Sequence, residues 1–334
     1  HLSDMFQGAT AWINSYTNCG YDSSDTAVCT AATYPASSGL NDGPPGAWVK
    51  ATSSGCSGGT SSPFPSSAAL KAAVERCLAK VPSGEKCCSS AGANCGAACG
   101  ADMPSWDTSL VTDMSSLFYY KVAFNQDISH WDVSNVTSMA QMFDNAYSFN
   151  KNLSNWNVSK VTNMNKMFQA SYRFNGELSG WDVSNVTNME SMFDWAMDFN
   201  ADLSGWDVSK VTSMSFTFYW ATAFNQDLSR WNVGAVKSMS YMFAYTSFNQ
   251  DLSRWDVGNV TSMGGMFYGA TSFSANITGW VPASNANTGG MFMGATEWFN
   301  SYTNCGYDKS DTAVCTAATY PASSSLYDGP PGAW

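Results

Sequence analysis

Residues 131–150 read Trp-Asp-Val-Ser-Asn-Val-Thr-Ser-Met-Ala-Gln-Met-Phe-Asp-Asn-Ala-Tyr-Ser-Phe-Asn, and close variants of this stretch follow one another along the chain. The period is 25 residues, apart from one step of 24 residues between Trp231 and Trp255. Its markers are Trp106, Trp131, Trp156, Trp181, Trp206, Trp231, Trp255 and Trp280. A fixed period of this length is typical of repeat architectures, in which each unit buries its apolar face against its neighbours.

The apolar pattern inside one repeat predicts a strand followed by a helix. Leu153, Trp156 and Val158 lie in a short stretch that we assign to the strand. The next apolar residues recur at three- and four-residue spacing, as on one face of a helix of about two turns, with Thr137 in the N-cap slot. They are Val136, Met139, Met142, Phe143 and Ala146. The expected fold class is therefore an α/β repeat, a solenoid of about eight 25-residue strand-helix coils over residues 101–300.

Methionine and phenylalanine columns are predicted to fill the core of this stack. Met139 and Met142 recur in almost every repeat beside an equivalent of Phe143. A methionine site for a soft metal is the alternative, but such sites also use cysteine or histidine, so the pattern favours core filling. Phe–Asn pairs close the repeats, and we expect each asparagine to bond backbone groups of its own and neighbouring coils. The pairs begin at Phe124, Phe149, Phe174, Phe199, Phe224, Phe248 and Phe299.

Carboxylates recur at two slots of the repeat. Asp132, Asp182, Asp207 and Asp256 follow the tryptophans, and Asp127, Glu177, Asp202, Asp227 and Asp251 precede them. Carboxylates stacked ~4.8 Å apart repel one another, and asparagine interrupts both columns, as at Asn157 and Asn152. The pattern favours a solvated polar face, with weak calcium binding to these columns as the alternative. No other cofactor and no dedicated metal site is expected.

Aromatic residues also persist in position along the repeated face, although their type varies from repeat to repeat. We predict that they form an exposed assembly or ligand surface. The candidates are Tyr119, Tyr120, Tyr147, Tyr172, Trp195, Tyr219, Trp220, Tyr241, Tyr245 and Tyr268.

Composition limits the classes of function. The chain has 334 residues, 44% of them hydrophobic and 12% charged, so it can bury a substantial core. Its net charge of −11 and the lack of a basic patch argue against nucleic acid and anionic membrane surfaces as partners, and no apolar run is long enough to span a bilayer. Two histidines, no nucleophile elbow and no phosphate loop predict that the protein is not an enzyme.

Ten cysteines avoid the repeats. Their clustering in Gly/Ser/Ala-rich segments predicts disulfides and hence an oxidising, extracellular setting. They are Cys19, Cys29, Cys56, Cys77, Cys87, Cys88, Cys95, Cys99, Cys305 and Cys315. Zinc at Cys87, Cys88, Cys95 and Cys99 is the alternative, but the spacing fits no common zinc pattern. The connectivity stays open, with Cys19–Cys29 and Cys305–Cys315 as the preferred local pairs.

The two ends of the sequence duplicate each other. Residues 4–48 return as residues 290–334 at a constant offset of 286, with 38 of 45 positions identical. This identity predicts recent tandem repetition of a 286-residue unit. We expect residues 1–13 to end a preceding repeat block, residues 14–100 to form a cysteine-rich connector with one helix near 66–81, residues 101–300 to form the repeat block, and residues 301–334 to begin the next connector.

Six Asn-X-Ser/Thr sequons are candidate glycosylation sites. They lie at Asn135, Asn152, Asn157, Asn185, Asn259 and Asn276. The repeat consensus generates some of them by chance. We expect Asn135, Asn185 and Asn259, which share one slot before the predicted helix, to be used first in a eukaryotic source.

The repeat from Trp131 to Thr137, with Met139, Met142–Phe143, Phe149–Asn150 and Leu153–Ser154, resembles the BspA-like leucine-rich-repeat surface proteins over about residues 101–300. Residues 68–78 also resemble the module that precedes such repeats in large secreted proteins of some protists. The resemblance implies a right-handed, leucine-rich-repeat-like solenoid, display outside the cell or on its surface, roles in adhesion or surface structure, and no catalytic residues.

Two functions are therefore expected from the sequence. The first is an extracellular structural protein whose tandem 286-residue units associate with copies of themselves into a fibre, sheath or surface appendage. The alternative is a surface adhesin that binds glycans or matrix protein through the repeated face.

Overall fold

The computed structural model describes residues 16–18, 48–50, 62–303 and 329. The chain divides into two compact units, residues 1–112 and residues 113–334. None of the described helices is long and apolar enough to cross a membrane.

The described residues of the first unit contain a short antiparallel strand pair and one α-helix. Strand β1 (Tyr16–Asn18) pairs with β2 (Trp48–Lys50), and Thr17 lies opposite Val49. Helix α1 spans Ser67–Lys80. Ser66 is its N-cap, and Ser66 Oγ accepts a 3.1 Å hydrogen bond from the backbone N–H of Ala69. Its buried face is formed by Leu70, Ala73, Val74, Cys77 and Leu78. Short 3₁₀ segments follow at Gly96–Ala98 and Met103–Ser105.

The second unit is a stack of coils in which one residue per coil forms a parallel bridge to the next. The bridged residues are Asp113, Ser138, Asn163, Asn188, Ser213, Ser238, Ser262 and Asn287, and we number the coils 1 to 8 after them. A short helix, α2 (Thr296–Ser301), follows coil 8.

The predicted helix of the repeat is wrong, because a run of overlapping β-turns stands in its place. In coil 2 the turns are closed by hydrogen bonds from Met142 N–H to Met139 C=O, from Asp144 N–H to Gln141 C=O and from Ala146 N–H to Phe143 C=O. Gln141 and Asn145 have φ of 58° and 60°, which no right-handed helix admits. A run of turns repeats every three to four residues, so it buries the same apolar positions as a helix would.

The predicted strand is wrong as well. Between Leu153 and Trp156 the chain makes a turn, closed by a 3.0 Å hydrogen bond from Trp156 N–H to Leu153 C=O, and a second turn joins Val158 to Val161. The right-handed, leucine-rich-repeat-like α/β solenoid of strand-helix coils is therefore not the fold class of this chain. Within residues 62–303 the coils consist of turns and irregular segments, and their regular pairing is limited to single bridges.

Backbone hydrogen bonds between coils replace a sheet. In coil 2 the N–H groups of alternate turn-run residues donate to carbonyls of coil 3: Met139 to Asn163, Gln141 to Asn165, Phe143 to Met167 and Asn145 to Gln169, at 2.8–3.0 Å. The tryptophans add a side-chain bond in the other direction, since Trp181 Nε1–H donates to Leu153 C=O of the preceding repeat at 2.9 Å. Each coil is thereby bonded to both neighbours.

The core consists of columns of identical side chains. Met139, Met142 and Phe143 are fully buried, which confirms core filling by these columns. Phe143 stacks on Phe168 at 5.4 Å between ring centroids, and Trp181 stacks on Trp206 at 6.2 Å. The predicted continuation of the Phe–Asn column at Phe299 is wrong, because the buried ring that stacks on Phe273 belongs to Trp298 of α2.

The asparagines of the Phe–Asn pairs form a hydrogen-bonded ladder, as predicted. Oδ1 of Asn150 accepts a 3.0 Å hydrogen bond from the backbone N–H of Asn175, and Oδ1 of Asn175 accepts a 2.9 Å bond from Asn200. The ladder ends where Ser274 replaces asparagine and its N–H donates to Asn249. These bonds satisfy backbone donors that have no other partner in a coil without strands.

We expect Gly269→Ala to destabilise the coil stack by ~1–3 kcal/mol. Gly269 has φ of +65° and lies under the ring of Tyr245, so that an added Cβ would meet a ring carbon. Gly205→Ala is the matched control, since nothing lies within 4 Å of its Cβ position. Urea unfolding of the two variants measures the difference, and equal stabilities would contradict a left-handed backbone at residue 269.

Candidate functional site

The turn runs expose one face of the stack, which we call the turn-run face. Two of its slots per coil, four residues apart, have positive φ. The slot just before the second ranges from the exposed Tyr119 to the buried Asp144 and Ala244. Because the same slots recur in each coil, their side chains form three parallel columns on this face. In the column of the second positive-φ slot the residues are Tyr120, Asn145, Ala170, Trp195, Trp220, Tyr245, Gly269 and Gly294.

The structure brings several of the predicted surface aromatics together on this face. Trp195 stacks on Trp220 at 4.8 Å between ring centroids, and Trp220 stacks on Tyr245 at 4.5 Å. Tyr219 meets Tyr241 and Tyr245 edge to face, and Tyr268 lies 5.3 Å from Tyr245. Phe216, which sequence analysis missed, stacks on Tyr241 at 5.2 Å. Coils 4 to 7 therefore carry a nearly continuous aromatic surface.

The remaining predicted aromatics lie on coils 1 to 3. Tyr147 stacks on Tyr172 at 4.7 Å, and Tyr119 packs edge to face on Tyr120 at 4.8 Å. Tyr119 and Tyr120 are 43% and 56% exposed, so their rings are available to a ligand or a partner.

A pocket of about 330 Å³ lies on the turn-run face across coils 1 to 4. It combines aromatic rings with amide, carboxylate and ammonium groups. Its lining residues are Tyr119, Gln141, Asp144, Asn145, Lys166, Gln169, Ala170, Tyr172 and Trp195. Of the predicted surface aromatics, the pocket includes Tyr119, Tyr172 and Trp195.

Sequence analysis missed the polar half of this pocket. Asp144 and Gln169, which line the pocket, occupy one slot of coils 2 and 3, where coils 1 and 5 have Tyr119 and Tyr219. Asp194 occupies the same slot of coil 4 and lies beside the lining residues without being one of them. Asn145 Nδ2–H donates to Asp144 Oδ1 at 2.6 Å, and Gln169 Nε2–H donates to Asp194 Oδ2 at 2.8 Å. These polar residues interrupt a slot that is aromatic in coils 1 and 5, and this interruption is visible in the sequence. It falls inside the segment that the apolar spacing predicts as an amphipathic helix, where polar residues are expected.

Asp194 is the most perturbed carboxylate of this group. It is only 7% exposed, and its Oδ1 atom is buried and accepts no hydrogen bond from the described residues. Burial raises its pKa to about 7, against the opposing effects of the Gln169 hydrogen bond and the Lys166 ammonium group. Burial also raises the pKa of Asp144, which is 3% exposed. The two carboxyl groups thus take up protons more readily than the exposed ones.

The acidic columns predicted as a solvated face have a structural role. Oδ1 of Asp202 accepts a 2.8 Å hydrogen bond from the N–H of Ser204, and Oδ1 of Asp207 accepts one of 3.0 Å from Ser209. Asn152 and Asn157, which interrupt the columns, form the same bonds with Ser154 and Ser159. These are Asx turns, and their hydrogen bonds lower the pKa of Asp202 and Asp207. Calcium binding to the columns stays a prediction.

All six predicted glycosylation asparagines are exposed: Asn135, Asn152, Asn157, Asn185, Asn259 and Asn276. Nδ2 of Asn185 and of Asn259 donates to a carbonyl of the preceding coil, and Lys160 Nζ donates to Oδ1 of Asn135. Glycosylation of these residues stays a prediction.

The cysteines of the described residues form disulfides. Cys77 pairs with Cys87 and Cys88 pairs with Cys95, with Cα atoms 5.1 Å and 5.9 Å apart, and Cys99 is disulfide-bonded as well. The Cys77–Cys87 bond joins α1 to the loop that follows it. The preferred pairs Cys19–Cys29 and Cys305–Cys315, and Cys56, lie outside the described residues.

The fold and this face define a coil-repeat protein with an invariant interior and a variable outer surface. The chain matches the family described as "Mycoplasma protein of unknown function, DUF285" twice, over residues 88–205 and 196–305, and it belongs to that family. No curated protein matches the chain.

We expect Asp194→Asn to flatten the pH dependence of stability. The folded state keeps Asp194 protonated up to about pH 7, whereas the unfolded carboxyl ionises near pH 4, so stability is lost as the pH rises between these values. From pH 5 to pH 8 this loss is roughly 2–3 kcal/mol in the unmodified chain, and the carboxamide of the variant cannot titrate.

Chemical denaturation at pH 5 and pH 8 measures this effect. Asp202→Asn is the control, because the lowered pKa of Asp202 leaves it ionised in both states over this range and asparagine keeps the Asx turn. Parallel pH dependence in Asp194→Asn and the unmodified chain would show that Asp194 ionises normally in the folded state.

Proposed function

We propose that the chain is part of an extracellular surface adhesin of the BspA-like type, which binds its target through the turn-run face. The observation that carries this proposal is where the repeats differ. The tryptophan, phenylalanine and asparagine columns repeat almost without change, whereas the combination of residues in the three turn-run slots differs in each coil. Because of those differences, the pocket and the aromatic surface each occur at one place on the turn-run face and are not repeated in every coil.

A repeated scaffold with a varied surface suits recognition. Binding surfaces need anchors such as Trp and Tyr beside polar groups that set specificity. Coils 4 to 6 provide the anchors Trp195, Trp220 and Tyr245, and coils 2 and 3 provide the polar groups Asp144 and Gln169. Stacking between coils holds these side chains in place, which lowers the entropic cost of binding.

Disulfides support the extracellular part of the proposal. Bonds such as Cys77–Cys87 form and persist in oxidising compartments, and they are rare in reducing ones. Exposed sequons such as Asn185 fit the same setting. The proposal includes no catalytic step, since the pocket combines carboxylates, amides and Lys166 without a Ser, Cys or His nucleophile among its lining residues.

A structural array of tandem units is the second candidate. The observation that favours it is the 286-residue offset, at which 38 of 45 aligned positions are identical. In such an array, exposed aromatics such as Tyr120 and Tyr241 would contact neighbouring copies and form a fibre, sheath or appendage.

We expect the purified chain to sediment as a monomer and to be retained on beads coated with mucin or collagen. A variant with Tyr120→Ser, Trp195→Ala and Tyr241→Ser should lose most of this retention, because it removes aromatic anchors from three parts of the face. Asp202→Asn, outside that face, is the matched control.

Sedimentation velocity without ligand separates the two candidates. If the unmodified chain associates as its concentration rises and is retained on neither bead, the result contradicts the adhesin and supports the structural array. Retention that the triple variant keeps would place the binding surface elsewhere on the chain.

A further inference from the structure

We infer that the pocket across coils 1 to 4 is a carbohydrate site that takes an uncharged pyranose ring of a glycan. The inference rests on the proposed adhesin function and names the ligand class of the same face. It is carried by the juxtaposition of three aromatic side chains with a buried carboxylate and three amides in one cavity.

The size of the pocket suits a small part of a longer ligand. Its volume of about 330 Å³ lies at the lower end of the range for ligand pockets. It opens on the turn-run face, next to the aromatic surface that begins with the Trp195–Trp220 stack. One sugar ring can therefore enter the pocket while the rest of a chain continues over the aromatic rings of coils 5 to 7.

Aromatic rings provide the apolar walls. Tyr119, Tyr172 and Trp195 line the pocket from coils 1, 3 and 4. A pyranose ring has C–H groups on its faces and hydroxyl groups at its rim, so it packs against a flat ring while its rim bonds to polar groups. Tyr172 is fixed by its stack on Tyr147, and Trp195 by its stack on Trp220.

Planar polar groups provide partners for the rim. The Asp144 carboxylate accepts from Asn145 Nδ2–H at 2.6 Å and from Gln141 Nε2–H at 3.3 Å, which fixes its plane. A carboxylate has two oxygens and about four lone-pair sites, so it can still accept from neighbouring hydroxyls. The carboxamide oxygens of Gln141, Asn145 and Gln169 are further acceptors, and Lys166 Nζ is a donor.

Other ligand classes fit these groups less well. An anion would approach the Asp144 carboxylate, in a chain whose net charge is −11. A metal ion would meet the Lys166 ammonium group, and among the described residues the group spaced to hold one ion consists of the disulfide-bonded Cys77, Cys87 and Cys88. An uncharged polyol uses both the acceptors and the donor.

The test uses the whole chain and methyl glycosides of glucose, galactose, mannose and N-acetylglucosamine as probes. Saturation-transfer NMR should detect at least one of them bound through its ring protons, and titration gives its Kd. Trp195→Ala should weaken that Kd roughly five- to tenfold, and Asp144→Asn about tenfold.

Asp202→Asn is the matched control for Asp144→Asn, because it makes the same change at an exposed carboxylate that does not line the pocket and lies outside the turn-run face. Its Kd should stay within about twofold of the unmodified value. Circular dichroism of each variant separates loss of the site from loss of the fold. If Trp195→Ala does not fold, Asp144→Asn and Tyr172→Phe, which both keep the size of the side chain, test the pocket in its place.

No saturation transfer from any of the four glycosides, or equal Kd values for Asp144→Asn and Asp202→Asn, would overturn the carbohydrate site. Retention on collagen or mucin beads that persists in that case would leave the adhesin function standing with a ligand other than these sugars. Loss of both retention and glycoside binding in the unmodified chain would contradict the adhesin function itself.

Discussion

The structure depends on the backbone hydrogen bonds that join each turn run to the next. In coils 1 to 7 the N–H groups of alternate residues donate to the following coil, as Gln141 does to Asn165 at 2.8 Å. These bonds set one fixed distance between coils, and every column inherits that distance. The tryptophan indoles, the phenylalanine rings and the asparagine ladder can each stack because their spacing is already determined. A chain without continuous strands therefore still satisfies its buried backbone groups.

The period, the core columns and the asparagine ladder were predictable from sequence, because all three depend only on which slots repeat. The local conformation was not, because helices and turn runs share a three- to four-residue spacing of apolar positions. The glycines at residues 265, 269, 290 and 294 are the residues in the sequence that indicate turns instead of a helix. They share the slots of Gln141 and Asn145, and all have positive φ. In coils 2 to 6 other residue types fill those slots, so the preference for a left-handed backbone is hidden there.

The pocket could not be found by following the repeat, because it consists of departures from it. Asp144, Gln169 and Asp194 interrupt a slot that is aromatic in coils 1 and 5. Their significance depends on stacking, which places residues 25 apart beside each other and allows Gln169 to bond Asp194 at 2.8 Å. By contrast, the carboxylates of the exposed columns are conspicuous in the sequence because they repeat. In the structure they form Asx turns, such as that of Asp202 with Ser204.

Stacking also explains why one face can vary while the rest cannot. A side chain in the core columns touches its equivalents in both neighbouring coils, so a change in one coil disturbs three. A side chain in the second positive-φ slot can also touch both neighbouring coils, as the Tyr245 ring stacks on Trp220 and lies over Gly269, but such a ring lies outside the buried core. The column can therefore change from Asn145 through Ala170 to Trp195 within three coils without altering the backbone hydrogen bonds beneath it. The backbone hydrogen bonds between coils therefore fix the interior but do not restrict the side chains of the turn-run face. Those side chains can form a site that occurs at one place in the stack.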